Sequence, residues 1–186
     1  MIDSIQLCIN HSIKVRRLDP ERPCVRFKPG YNALIGRNGS GKSTVLRAVA
    51  SCPMCRVSRS GGAVVKYIGT ETLNPNAGGV FATREAMIQG IRALFMSHGQ
   101  NVRDSLRNQQ EGGETVVLID SPETGQDMEG CLEIHRGLLR MAKHLQVIVA
   151  TNHLVFMRGG HRIDLGYRTL PRLIRSSRKL VDGFSR

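Results

Sequence analysis

The sequence has no tryptophan, three tyrosines and five phenylalanines in 186 residues, which argues against a recognition surface built on aromatic stacking. Long apolar runs are missing as well. The most hydrophobic stretches, around Val116–Ile119 and Val147–Ala150, fall far short of the roughly 20 residues that cross a bilayer. The opening Met-Ile-Asp-Ser-Ile-Gln has neither a basic leader nor an apolar core, so no signal peptide is expected and a cytoplasmic, membrane-free protein is. Acidic residues are scarce too: 15 against 27 lysines and arginines, a formal charge of +12. The basic residues cluster near the start (Lys14, Arg16, Arg17, Arg22, Arg26, Lys28) and the end (Arg168, Arg172, Arg175, Arg178, Lys179, Arg186). That balance points to a polyanionic partner, DNA or another nucleic acid first, with an acidic protein as the alternative. Five cysteines are an odd number in a chain large enough to core itself without disulfides. Cys52-Pro-Met-Cys55 is one pair at metal-ligand spacing, but zinc needs four ligands and no second pair follows. The two are therefore expected to be ordinary thiols, unless two protomers each supply half a site.

What is present has the rhythm of alternating strands and helices. Strands are expected at Ile2–Ile9, Cys24–Phe27, Asn32–Ile35, Ala63–Ile68, Thr115–Ile119, Gln146–Ala150 and Arg162–Leu165. Helices are expected at Lys42–Ala50, Thr83–Phe95, Gln100–Gln110, Gln126–Leu145 and, strongly basic, at about 171–182. This order implies a single α/β domain over residues 1–186, with a mixed, mostly parallel sheet and flanking helices.

One segment carries chemistry outright. Gly36-Arg-Asn-Gly-Ser-Gly41-Lys42-Ser43 matches the P-loop pattern between an expected strand and an expected helix. Glycines let the backbone close around phosphates, and the N–H groups of the loop, including Asn38, Gly39 and Ser40, face the phosphate oxygens with the helix N-terminus behind them. Lys42 is positioned for the β- and γ-phosphates, Ser43 for Mg²⁺, and Thr44 for the helix's first turn. ATP with Mg²⁺ is the expected ligand. Val116-Val-Leu-Ile-Asp120 supplies the acid at the end of a second buried strand that such a metal requires.

With these motifs placed, the chain resembles the ABC-type ATPases, and within them the SMC, RecF-like and OLD-family branch. Phe27 to Thr44, and above all Asn-Gly-Ser-Gly-Lys-Ser-Thr, carries the resemblance. Met96-Ser97-His98-Gly99-Gln100 is similar to the family signature, in which Ser97, Gly99 and Gln100 would cap a nucleotide held by another subunit. Thr124-Gly-Gln-Asp127 resembles the D-loop and Val147–His153 the switch-histidine strand. The resemblance implies a head-to-tail dimer of this chain, or of this chain with a homologous head, around two ATPs. Three positions depart from the pattern. Asn152 intervenes between the threonine and histidine that usually adjoin, which sets His153 one residue off. Ser121 stands where the water-activating glutamate usually follows Asp120, which leaves Glu123 as the candidate, and Glu71 is the substitute for the metal-binding glutamine. The chain has no room for coiled-coil arms between Lys42 and Ser97, so it looks like a bare ATPase head. An ATP-dependent switch acting on DNA, in repair, recombination or phage defence, is the expected role. Regulation of a separate protein effector such as a nuclease or toxin is the alternative, and a transporter subunit fits less well.

Overall fold

A computed structural model of the chain describes residues 1–15, 18–19, 23–69 and 115–184. The helices expected at 83–95 and 100–110, and the candidates Glu71, Ser97, Gly99 and Gln100, lie outside the described residues. The described residues form two sheets. Strands β3 (Tyr31–Ile35), β5 (Val64–Ile68), β6 (Thr115–Asp120), β7 (Gln146–Thr151) and β8 (His161–Asp164) make a five-stranded sheet in the order β5-β6-β7-β3-β8, with every pairing parallel. Strands β1 (Ile2–Gln6), β2 (Cys24–Arg26) and β4 (Arg56–Arg59) make a three-stranded antiparallel sheet in the order β2-β1-β4. The expected mixture of strand directions is thus divided between two sheets.

The central strands β3, β6 and β7 are buried on both faces, as their unbroken apolar runs require, while the edge strands β5 and β8 are partly exposed. Side chains alternate along a strand, and β7 shows the consequence. Ile148 and Ala150 join a core with Val45, Leu46 and Val49 of helix α2 (Lys42–Ser51), together with Ile2, Ile5 and Val25 of the small sheet. Val147 and Val149 join a second core with Cys131, Ile134, Leu138 and Met141 of helix α3 (Met128–Met141) and with Phe156 of a single 3₁₀ turn, Leu154–Met157. The buried positions of α3 recur at helical spacing. Leu138, completely buried, contributes about 1.5–3 kcal/mol by leaving water.

Gln146 ties the layers together. Its Nε2 donates to the carbonyls of Ile2 and Lys28 at 2.7 and 3.0 Å, and its Oε1 accepts from the N–H of Ile2 at 2.7 Å. A buried amide with all these partners is stabilising, whereas an apolar residue there would strand buried backbone groups.

Several boundaries differ from those the sequence suggests. The first strand stops at Gln6 because Cys8 starts a single helical turn, α1 (Ile9–Ser12). Strand β4 is absent from the pattern because its mostly exposed residues, Arg-Val-Ser-Arg, owe their conformation to pairing with β1. Helix α3 begins later than expected, since Asp127 caps it by accepting the Gly130 N–H at 2.7 Å. The basic helix α4 runs Thr169–Phe184, with Pro171 in its first turn, where the missing N–H costs nothing. Asp164 holds that start by accepting from Thr169 N and Thr169 Oγ1 at 2.8 and 2.7 Å.

Candidate functional site

In parallel α/β sheets the carboxyl ends of the strands are where ligands bind, and the chain's candidate chemistry gathers at those of β3, β6 and β7. Ile35, the last residue of β3, lies beside Thr151 of β7, and Asp120 of β6 lies beside Ala150. The loop that leaves β3 needs its glycines. A Cβ on Gly36 would collide with the Ser40 side chain, and Gly41 holds φ +95° with Val15 Cγ2 only 2.6 Å from where its Cβ would stand. The loop is therefore bent tightly and backed closely by the Lys14–Val15 segment. Helix α2 follows with no side-chain cap at Gly41, so the N–H groups of its first turn, which includes Ser43 and Thr44, remain for a ligand.

Lys42 is buried at the head of this helix, and its Nζ donates to the carbonyls of Gly36 and Arg37 at 2.9 and 3.1 Å. Burial lowers its pKa, while the charges of Glu123 and then Asp120 oppose that shift. Both carboxylates therefore act on the ammonium. Asp120 is only 3% exposed and accepts from Ser43 Oγ at 3.0 Å, Ser121 Oγ at 3.3 Å and Tyr67 Oη at 3.3 Å. Tyr67 was legible only as a strand residue, and its place over Asp120 depends on the β5–β6 pairing. Burial raises the pKa of this phenol, which keeps it a neutral donor.

Glu123 sits at the same end of the sheet. Ser121 adopts φ +54°, and the Ser121 carbonyl accepts from Thr124 N at 3.1 Å, closing a turn over Pro122 and Glu123. The turn brings the Glu123 carboxylate to the tip of β7, where Oε2 accepts from Thr151 Oγ1 at 2.9 Å and Oε1 from Asn152 N at 3.1 Å. Asn152 also reaches the phosphate loop, donating from Nδ2 to Asn38 Oδ1 at 2.8 Å. Thr151 and Asn152 stood in the sequence only as the residues before His153, with no role of their own, because both act through contacts distant in sequence. His153 lies beside them with its N–H on Thr151 Oγ1 at 3.0 Å and its ring edge-on to Phe156. Asp127 stands apart as the cap of α3 described above.

The residues present fit a magnesium nucleotide. Mg²⁺ takes hard oxygen ligands, and Ser43 Oγ and Asp120 Oδ1 already meet at 3.0 Å. Ser40 Oγ, inside the loop, and His153 Nδ1 are buried with no hydrogen-bond partner among the described residues. Such orphaned polar atoms suit an anionic ligand.

No family model and no curated protein matches the sequence. Among solved structures, the chain is similar to PCH-2 of C. elegans, with 14% identity and a TM-score of 0.43 over 73% of this chain and 35% of that one. It is also similar to ATPases 2 and 3 of Thermomonospora curvata EccC, solved with a signal sequence peptide, with 15% identity and a TM-score of 0.46 over 80% of this chain and 28% of that one. The chain thus spans about a third of the length of these proteins or less. The glycine loop between β3 and α2, the lysine that opens α2 and the acid at the end of β6 make the fold that of a P-loop NTPase. Among the described residues, no helix is long and apolar enough to cross a membrane.

Proposed function

We propose that the chain binds magnesium ATP in the Gly36–Thr44 loop and hydrolyses it. The observation that carries this reading is the convergence of Lys42, Ser43, Asp120 and Glu123 at the carboxyl ends of adjoining parallel strands. Lys42 and the N–H groups of the loop neutralise and orient the phosphates. Ser43 and Asp120 hold the metal, whose chemistry is to neutralise charge on the transferring phosphoryl group. Glu123, fixed by Thr151 and Asn152, takes the part of the base that orients the attacking water, and His153 senses the terminal phosphate. Replacing Lys42 by Ala tests the site. Removing one charge-assisted hydrogen bond of about 1.5–3 kcal/mol should weaken ATP binding roughly 10–150-fold. Unchanged affinity in a folded Lys42→Ala protein would remove the basis of the reading.

The finer reading is an ABC-type switch that closes as a head-to-tail dimer around ATP, with Ser97, Gly99 and Gln100 of one copy and Asp127 near the seam, and acts on DNA. Helix α4 supports the DNA part, since it presents Arg172, Arg175, Arg178 and Lys179 to solvent against the single acid Asp182. DNA binding should then fall steeply with salt. The same helix also favours a protein effector as a second reading, because Leu180, Val181 and Phe184 are 61–83% exposed on it. An apolar strip is not used in contacts to phosphates. Sizing the protein with and without ATP, then with DNA, separates the two: ATP-dependent dimers that ignore DNA favour the effector.

A further inference from the structure

The CxxC pair that lacked partners in the sequence acquires them in the fold. We infer that Cys8, His11, Cys52 and Cys55 form a four-ligand zinc site, separate from the phosphate loop. The two halves, Cys8-x-x-His11 and Cys52-x-x-Cys55, lie far apart in the chain. Pairing of β1 with β4 sets Gln6 opposite Arg56, which brings Cys8, just past the end of β1, next to Cys55, just before the start of β4. Cys52 caps the far end of α2 and completes the group. One donor atom from each residue lies within 4.8 Å of all the others. His11 Nδ1 is 3.1 Å from Cys8 Sγ and 3.5 Å from Cys55 Sγ. With Zn–S near 2.3 Å and Zn–N near 2.0–2.1 Å, a tetrahedral ion needs ligand edges of about 3.4–3.8 Å, so small shifts suffice.

The chemistry and surroundings agree with that assignment. Three sulfurs and one imidazole are a structural zinc set, soft enough to disfavour magnesium or calcium. The Cys8 N–H points at Cys55 Sγ at 3.3 Å, an outer-shell contact of the kind that steadies a metal-bound thiolate. Three of the four residues are only half-buried, which leaves an entry path for the ion. Helix α1 supplies a separate argument. It is one turn of four residues with none buried, and so short a helix does not hold itself in water. Its first flanking residue and its third are Cys8 and His11, so a metal would pin it at both points.

The test uses the full chain purified under reducing conditions with zinc present. Elemental analysis should find one zinc per chain, and cobalt substitution should give the thiolate charge-transfer and tetrahedral absorption bands of a three-sulfur, one-nitrogen site. Cys52→Ser should weaken metal retention against a chelator by more than the roughly 10–100-fold that an outer-shell loss costs. Cys24→Ser, at an exposed thiol outside the group, should change nothing. If Cys52→Ser does not fold, His11→Cys keeps the question open to measurement, because it should retain cobalt with a spectrum shifted toward four thiolates. Substoichiometric zinc after reconstitution, a Cys52–Cys55 disulfide in the purified protein, or a cobalt spectrum indifferent to His11→Cys would overturn the assignment.

Discussion

Glu123→Gln separates chemistry from architecture at this site. The substitution removes a charge and keeps the shape. Glutamine can still accept from Asn152 N as Glu123 does at 3.1 Å, and its amide can donate to Thr151 Oγ1, which in the native protein donates to the carboxylate at 2.9 Å. What is lost is charge assistance, about 1 kcal/mol per hydrogen bond, and less here because Glu123 is half-buried and screened. The folded protein should therefore lose no more than about 1–2 kcal/mol. Lys42 should hold its proton less firmly, since Glu123 is the stronger of the two carboxylates that support its charge. If Glu123 orients the water, turnover should fall about 10²–10⁴-fold, a barrier increase of roughly 3–5 kcal/mol. The assay is magnesium-dependent phosphate release at saturating ATP, paired with nucleotide binding by titration and a urea unfolding curve. Loss of turnover with binding within about tenfold fits the reasoning. Unchanged turnover in a folded variant refutes it, and a parallel loss of binding and stability would make Glu123 a brace for β7 instead.

Two further perturbations probe the loop and the core. Gly41→Ala and Gly39→Ala both place an alanine at positive φ, +95° and +75°, but only at Gly41 would the new Cβ meet anything within 4 Å, namely Val15 and the Lys14 carbonyl. Gly39→Ala should cost about 1–2 kcal/mol for the left-handed conformation, and Gly41→Ala clearly more. Equal thermal shifts would show that the Val15 contact is slack. His135 packs edge-on to Tyr31 and Phe156, and its Nε2 donates to the Arg158 carbonyl at 2.9 Å. A carbonyl only accepts, so the neutral ring carries its proton on Nε2. Burial lowers its pKa below 6.5, the Arg158 carbonyl opposing and the Arg158 charge adding to the shift. The unfolded chain then binds the proton first, so this contribution is complete above about pH 6.5 and is lost as pH falls through the lower folded value. His135→Leu should flatten that part of the urea-midpoint profile relative to the native protein. An unchanged slope would assign it elsewhere, His161 being the other histidine shifted the same way among the described residues.

The phosphate loop was legible because its requirements are local. Glycines at fixed spacing, then lysine and serine, specify both a backbone shape and a ligand without any distant contact. Asp120 was legible for a similar reason, as the acid that ends a β-branched run. Glu123 was harder to place, because its approach depends on Ser121 holding φ +54°. A non-glycine residue there gives no pattern to read. Tyr67, Thr151 and Asn152 join the site only through the parallel register of β5, β6 and β7. The small sheet shows the limit most clearly. Strand β4 has little apolar rhythm, so its pairing with β1 was not foreseen, and with it went the meeting of Cys8 and His11 with Cys52 and Cys55. Only the Cys52-x-x-Cys55 spacing was noticed; Cys8-x-x-His11 was passed over, and the register that joins the two pairs does not show in the sequence.

The two candidate sites bear on each other through α2 and the segment before it. Lys42 opens that helix and Cys52 caps its far end, so at 1.5 Å per residue the phosphate loop and the sulfur cluster lie about 15 Å apart along one rod. A second connection runs from Cys8 and His11 through the turn at Ile13–Lys14 to Val15, which is 97% buried. That residue stands against Gly41, the glycine whose φ admits no ordinary side chain. A metal that pinned Cys8 and His11 would therefore fix the wall behind the phosphate loop, and one that held Cys52 would fix the opposite end of the helix. Neither connection touches a phosphate. Loosening the cluster would thus act through the order of the loop, raising the entropy lost when ATP binds, while the contacts made by Lys42, Ser43 and Asp120 stay the same.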